Sequence, residues 1–153
     1  MVRSSAQCAP LHRTIQRLNA RWHLRLALLS PSNKTTALKR NKPTLGKTLK
    51  TSQLYWNNPN QIKTLNPPFD FVIAADVVYI EESVATLVSA METLVGSSGV
   101  VLLGYRLRSP EAHGLFWELS ERVFAIEKVP HEDLHPEYAY EEADVYIMRK
   151  KYK

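Results

Sequence analysis

One stretch constrains the fold more than any other: FDFVIAADVVY, residues 69–79. From Phe69 to Ala75 it is apolar except at Asp70, and it lacks the strict alternation of a strand with one wet face. Such a run suits a strand buried on both sides, in the middle of a parallel sheet flanked by helices. Ligands in sheets of that kind bind beyond the carboxyl ends of the strands. Asp76 and Tyr79 follow at that end.

The neighbouring patterns extend the same architecture. Residues 80–95, IEESVATLVSAMETLV, put Val84, Leu87, Val88, Met91, Leu94 and Val95 on one helical face, with Glu81 and Glu82 in the first turn where the helix dipole favours acids. GSSG at 96–99 is expected to end that helix. VVLLGYRL (100–107) reads as a second buried strand. In SPEAHGLFWELSERV (109–123) Ser109 is placed to cap a helix and Pro110 to open it. Strands are expected at 124–129 and 143–151, separated by the polar loop HEDLHPEYAYEE, and upstream LKTSQLYW (49–56) reads as a strand followed by a loop at 57–68. Strands and helices alternate and two strands close the series, which predicts an α/β fold with a mostly parallel sheet and a carboxyl-terminal antiparallel strand.

The amino-terminal third differs in kind. Residues 1–50 hold eleven Lys and Arg and no acid, whereas the remainder holds nine against all fifteen acids, so the two parts carry +11 and −6. The basic balance of the whole chain therefore describes residues 1–50, and it is poor support for a nucleic-acid-binding surface on the main body. Leu11, Ile15, Leu18, Trp22, Leu26 and Leu29 mark one face of a helix over 11–29, with Arg13, Arg17, Arg21 and Arg25 on another. A targeting presequence, a helix docked on the domain, and a membrane-surface or nucleic-acid helix all fit this pattern. Residues 30–48 read as linker, and the expected division is a basic segment at 1–36 followed by a domain at 37–153. With Cys8 as its single cysteine the chain has no internal disulfide, and no apolar run nears the roughly 20 residues that span a bilayer. A soluble, monomeric, cytoplasmic protein is expected, or an organellar one if the basic segment is a presequence.

LYWNN (54–58), PPFDFVIAADVVY (67–79), GVVLLGYRLRSPE (99–111) and FWELSERVFAIEKVPHEDL (116–134) resemble the methyltransferase-like protein-lysine methyltransferases, a branch of the seven-β-strand S-adenosylmethionine-dependent enzymes marked by D-V-V-Y after the fourth strand. The resemblance covers about residues 37–151 and implies a partial Rossmann-like methyltransferase sheet. It also implies S-adenosyl-L-methionine as cofactor and a protein substrate carrying a lysine, a chaperone or an ATPase. By position the resemblance implies that Trp56 would lie beside the adenine, Ala74 would contact the cofactor, Tyr79 would line the lysine channel and Asp76 would hold the polar end of the same strand. On spacing alone packing is the better account of these residues, with Trp56 capping the core, Ala74 small beneath a helix and Tyr79 leading into the next one; the resemblance reverses that preference. The implied chemistry needs little acid-base work, because a sulfonium methyl is already electrophilic and catalysis consists of aligning a neutral amine. An aromatic-walled channel assists by disfavouring the charged lysine.

The family's glycine-rich turn and the acid about 20 residues beyond it have no counterpart. The five glycines, at 46, 96, 99, 104 and 114, form no Gly-x-Gly, and no acid precedes Asp70. A truncated or divergent member with weak or lost activity is expected, with an exposed strand edge and low solubility. His131 and His135 in HEDLHPEY have the spacing of a helical zinc motif, but Pro130 and Pro136 bracket them, so a polar loop with no metal is the expectation. The competing class is a non-catalytic binding module whose basic arm contacts RNA or an acidic partner. The absence of interleaved aromatic and basic residues weighs against nucleic acid.

Overall fold

The computed structural model describes residues 26–29, 54–137 and 139–151. In order these form β1 (Leu26–Leu29), α1 (Pro59–Thr64), β2 (Phe69–Ala75), α2 (Glu81–Leu94), β3 (Val95–Tyr105), α3 (Pro110–Val123), β4 (Phe124–Lys128), a 3-10 turn (His131–Asp133) and β5 (Asp144–Lys150). The strands make one sheet in the order β1, β2, β3, β5, β4. β1, β2 and β3 run parallel, and β5 is antiparallel to both its neighbours. The expected α/β class, with a mostly parallel sheet and a closing antiparallel strand, is what forms. The expected helix over 11–25, the linker and the start of the 49–56 strand lie outside the described residues.

At Leu26–Leu29 the expected helical face is a strand instead. It pairs in parallel with β2, Leu26 opposite Phe71 and Leu29 opposite Ala74. A run as short as LALL suits a helix or a buried strand equally by periodicity. The unpaired amides and carbonyls along β2 supply the partner that decides it. β2 is therefore an interior strand, and the edge expected to lie open carries β1.

Near Trp56 the expected strand is also absent: 54 and 55 have no regular structure and 56–57 form a turn. Asn58 begins a helix at this point, its side chain accepting from the Gln61 amide at 3.1 Å, with Pro59 at the first helical position. The Gln61 side chain in turn accepts from the Tyr55 amide at 2.8 Å, which fastens the turn to α1.

β2 stops at Ala75, two residues short of the strand over 69–77 that FDFVIAADV suggests. The Asp76 amide donates to the Gly104 carbonyl at 3.2 Å, a last rung to β3, and the backbone then turns away with φ of 55° at Asp76. Aspartate is among the few residues that tolerate this left-handed region.

GSSG does not separate α2 from β3. The helix passes directly into the strand at Val95, and residues 96–99 lie within β3, where the pairing jumps from Phe69 with Val95 to Phe71 with Val100. Gly99 is required there: a Cβ would stand 2.7 Å from the Phe69 carbonyl oxygen and 2.8 Å from Val95 Cγ2. Gly99→Ala is expected to lower the unfolding free energy by about 1–3 kcal/mol, as forced overpacking does. A denaturation midpoint equal to that of the wild type would show that the irregular stretch relaxes freely.

The core lies between the sheet and the paired helices α2 and α3. All six apolar residues expected on the inner face of 80–95 are buried, and α3 adds Ala112, Phe116 and Ser120. Ser109 caps α3 as its sequence predicts, its hydroxyl accepting from the Ala112 amide at 3.2 Å. Val72, Ala74, Val101, Leu103 and Tyr105 are buried beneath these helices. On the opposite face Phe71, Ile73 and Leu102 are only half-buried, so the sheet is closed more completely on one side than the sequence pattern predicts.

Candidate active site at the carboxyl end of the sheet

Because β2 and β3 are parallel neighbours, the chain leaves both at the same end of the sheet, and their loops meet there. Asp76 stands one residue beyond β2 and Arg108 three beyond β3. The Arg108 Nε and Nη2 donate to the two carboxylate oxygens of Asp76, each at 2.9 Å. This is the two-pronged geometry that guanidinium and carboxylate favour. The Asp76 carboxylate accepting these bonds pushes the Arg108 guanidinium still further above its ordinary value. Beyond Asp76, Val77 and Val78 are buried while Tyr79 and Ile80 are 41% and 45% exposed.

Ile80 brings this loop to a groove. An open cavity of about 340 Å3 lies between the turn at 54–57 and the start of α2, and Tyr55, Trp56, Asn57, Ile80, Glu82 and Thr86 help to line it. Trp56 is half-buried and packs against the core from the same position. Ala74 is fully enclosed on the core face of β2. The structure thus gathers Asp76, Tyr79 and the Trp56 groove at one end of the sheet, and it places the Ala74 methyl in the packing beneath them.

Further along the same end lies a cluster that the sequence alone does not mark. Tyr105 closes β3, and its hydroxyl pairs with His113 Nδ1. The Trp117 indole donates to that same nitrogen at 3.2 Å. Since an indole N–H only donates, His113 Nδ1 is the acceptor of that bond. Tyr146 packs on Trp117 with centroids 4.7 Å apart and donates its hydroxyl to Asp144 at 3.2 Å. Lys128 reaches the same carboxylate at 2.8 Å, and His131 lies 3.5 Å from it. These residues are separated by up to 41 positions in the sequence, from Tyr105 to Tyr146, and only the pairing of β3, β4 and β5 assembles them.

The charge state of this cluster follows from its packing. The bond from Lys128 holds the Asp144 carboxyl below the usual carboxylate range, against the opposing effect of burial. Burial, then the Asp144 charge, pushes the Tyr146 phenol up to about 12. A phenol whose folded value exceeds its unfolded value of about 10 contributes stability that is intact below pH 10 and is lost as the pH rises towards the folded value. Asp144 has the opposite sign: its contribution is present above the unfolded carboxylate value and disappears as the pH falls through the lowered one. The melting temperature is therefore expected to fall between about pH 10 and 12, and to fall less in Tyr146→Phe. An identical alkaline decline in both proteins would remove Tyr146 as its cause.

The spacing of His131 and His135 does not belong to an α-helix. His131 is in the 3-10 turn, and the His135 Nδ1 accepts from the Glu137 amide at 3.2 Å. Among the described residues no three His, Cys, Asp or Glu side chains converge as metal ligands.

Sheet order, the antiparallel β5 and a polar site at the carboxyl end define a Rossmann-like methyltransferase fold, and solved structures agree. A TehB-like SAM-dependent methyltransferase from Corynebacterium glutamicum superposes with a TM-score of 0.53 at 19% identity, over 82% of this chain and 67% of that one. The fibrillarin of Aeropyrum pernix, solved with natively bound S-adenosyl-L-methionine, does so with a TM-score of 0.53 at 14% identity, over 90% and 73%.

Residues 31–122 match the lysine methyltransferase family, and the chain belongs to it. The mouse protein N-lysine methyltransferase METTL21A is 31% identical over 87 residues, which are 54% of this chain and 38% of that protein. Its zebrafish counterpart is 29% identical over 92 residues, 58% of this chain and 41% of that protein. The chain spans about two-fifths of the length of these curated relatives.

Proposed function

We propose that this chain carries the adenine-facing and lysine-facing part of an S-adenosyl-L-methionine-dependent protein-lysine N-methyltransferase. One observation carries the reading: in a member of the lysine methyltransferase family, the segment DVVY at 76–79 stands at the carboxyl end of the sheet beside an aromatic groove. Family membership favours the enzyme over a binding module with a basic arm. Methyltransferase family and fold together support S-adenosyl-L-methionine as the cofactor.

The groove suits an aromatic base. Its volume of about 340 Å3 falls within the range of small-molecule sites, and the Trp56 and Tyr55 rings offer flat apolar surface beside the polar side chains of Asn57 and Glu82. When bound, the cofactor supplies an electrophilic methyl group. Trp56 would hold the adenine by stacking, and the enclosed Ala74 would keep the strand end slim enough for close approach. Tyr79, with its ring half in solvent beyond the end of β2, would guide the aliphatic stem of the lysine and shield its amine from water. Asp76, fixed by Arg108, would set where that loop begins.

The substrate in this reading is a protein lysine, with a chaperone or an ATPase as its source, and the enzyme acts as a cytoplasmic monomer. Among the described residues no helix is long and apolar enough to cross a membrane.

Calorimetry with S-adenosyl-L-methionine, followed by transfer of a labelled methyl group to candidate proteins, tests the proposal. Saturable binding that is weakened in Trp56→Ala, with label on lysine, supports it. Binding without transfer would confine the chain to the cofactor half of the reading. No binding at millimolar cofactor would overturn it.

A further inference from the structure

The loop at 76–80 presents two exposed apolar side chains, Tyr79 and Ile80, at the candidate site, and its backbone has few supports of its own. At one end the Asp76 amide donates to Gly104; at the other the Ile80 carbonyl accepts from the amide and the hydroxyl of Ser83. Between them Val77 and Val78 are pinned in the core, while Tyr79 and Ile80 point outward and, among the described residues, Tyr79 makes no hydrogen bond. The turn that starts the loop is the left-handed one at Asp76, and the Arg108 fork is what grips that residue from outside its own segment.

Arg108 belongs to a short connector between β3 and α3 that is tied on two sides. Arg106, two residues earlier, forms an ion pair with Glu142 in the loop that precedes β5, and Arg108 holds Asp76. Both pairs are about half exposed, so their effect on overall stability is small. A fork of two parallel bonds nevertheless restricts direction, which a single charge contact does not. An exposed pair with good geometry and little stabilising effect is suited to orienting a loop.

We infer that Arg108 is a positioning residue: its two-pronged bond to Asp76 holds the loop at 76–80 in register, so that Tyr79 and Ile80 stand where a substrate lysine approaches the groove. The catalytic consequence rests on the methyltransferase reading; the ordering of the loop rests on the geometry alone. Arg108 touches neither substrate nor cofactor in this role, and it acts through Asp76. A lysine at 108 keeps the charge and loses the fork, so the two contributions separate.

The test compares Arg108→Ala, Arg108→Lys and a control, Arg122→Ala, which removes a more exposed ion pair with Glu118 on α3. Amide hydrogen exchange is followed by mass spectrometry in the peptide spanning 76–80 and in α2, together with kcat and KM for lysine methylation. In Arg108→Ala exchange at 76–80 should quicken about tenfold, with α2 unchanged and kcat/KM reduced by about the same factor or more. Arg108→Lys should fall between it and the wild type, and Arg122→Ala should match the wild type. Unchanged exchange at 76–80 in Arg108→Ala would overturn the inference, as would faster exchange spread equally through α2, which marks a general structural role. Loss of kcat/KM with the loop undisturbed would overturn it too. If the wild type transfers no methyl group, the proposed function fails while the exchange measurement still decides the role of Arg108.

Discussion

Truncating Phe116 to alanine is expected to lower the unfolding free energy by about 3–5 kcal/mol, the range for deleting a fully buried aromatic ring. Phe116 is 0% exposed, and it is the one large fully buried side chain that α3 contributes. Its ring lies nearly parallel to that of Tyr105 at 6.5 Å and meets Trp117 edge-on at 5.2 Å, so the loss would loosen the end of β3 as well as the helix. Small domains are stable by only about 5–15 kcal/mol, so this variant should sit near the limit of folding. Denaturant titration measures the effect directly, with the slope expected to hold while the midpoint falls. A loss below about 1 kcal/mol would mean that α3 settles into the space, against the close packing seen around it.

Under the proposed methyltransferase function, the second large effect is on catalysis and not on stability. Tyr79→Ala is expected to lower turnover by about 100-fold, the scale of a misplaced reacting group, while leaving the melting temperature nearly unchanged because 41% of the residue is already in solvent. Tyr79→Phe should keep most of the activity, since in the proposed site the ring and not the hydroxyl would guide the aliphatic stem. Should phenylalanine lose as much as alanine, the hydroxyl takes part in the reaction. A fully active alanine variant would place the lysine path elsewhere.

How much of this was legible beforehand differed from element to element. The helices over 81–94 and 110–123 carry long apolar periods, and α3 opens with a side-chain cap; both stood where the sequence put them because these signals are local. The core-facing side of β2 and β3 was equally plain, although their other face is only half-buried. What misled were short runs whose fate depends on distant partners: Leu26–Leu29 joins the sheet because β2 has bonding groups to offer, and residues 54–56 forgo a strand because Asn58 and Gln61 draw them into a helix start. GSSG has the composition of a turn but lies within β3, where Gly99 allows the close approach of the Phe69 carbonyl. Of the site, Asp76, Tyr79, Trp56 and Ala74 were named by resemblance, and the structure gathers the first three at one end of the sheet. Arg108 was missed. Its only signal was an opposite charge just beyond the end of a neighbouring parallel strand, and that signal requires the strand order first. The cluster around Asp144 and Tyr146 left no joint signal, because its members come from β3, α3, β4, β5 and the 3-10 turn.

The place of β5 has a consequence for how the protein is made. β4 is synthesised before β5 yet, among the described residues, it is hydrogen-bonded to no other strand, and β5 fills the gap between it and β3. A nascent chain whose residues 144–150 are still inside the ribosome therefore has no strand to pair with β4, and the Lys128 ammonium waits without its carboxylate. Termination before residue 144 would release a polypeptide with α3 formed but β4 without its strand partner, a species that quality-control proteases should recognise.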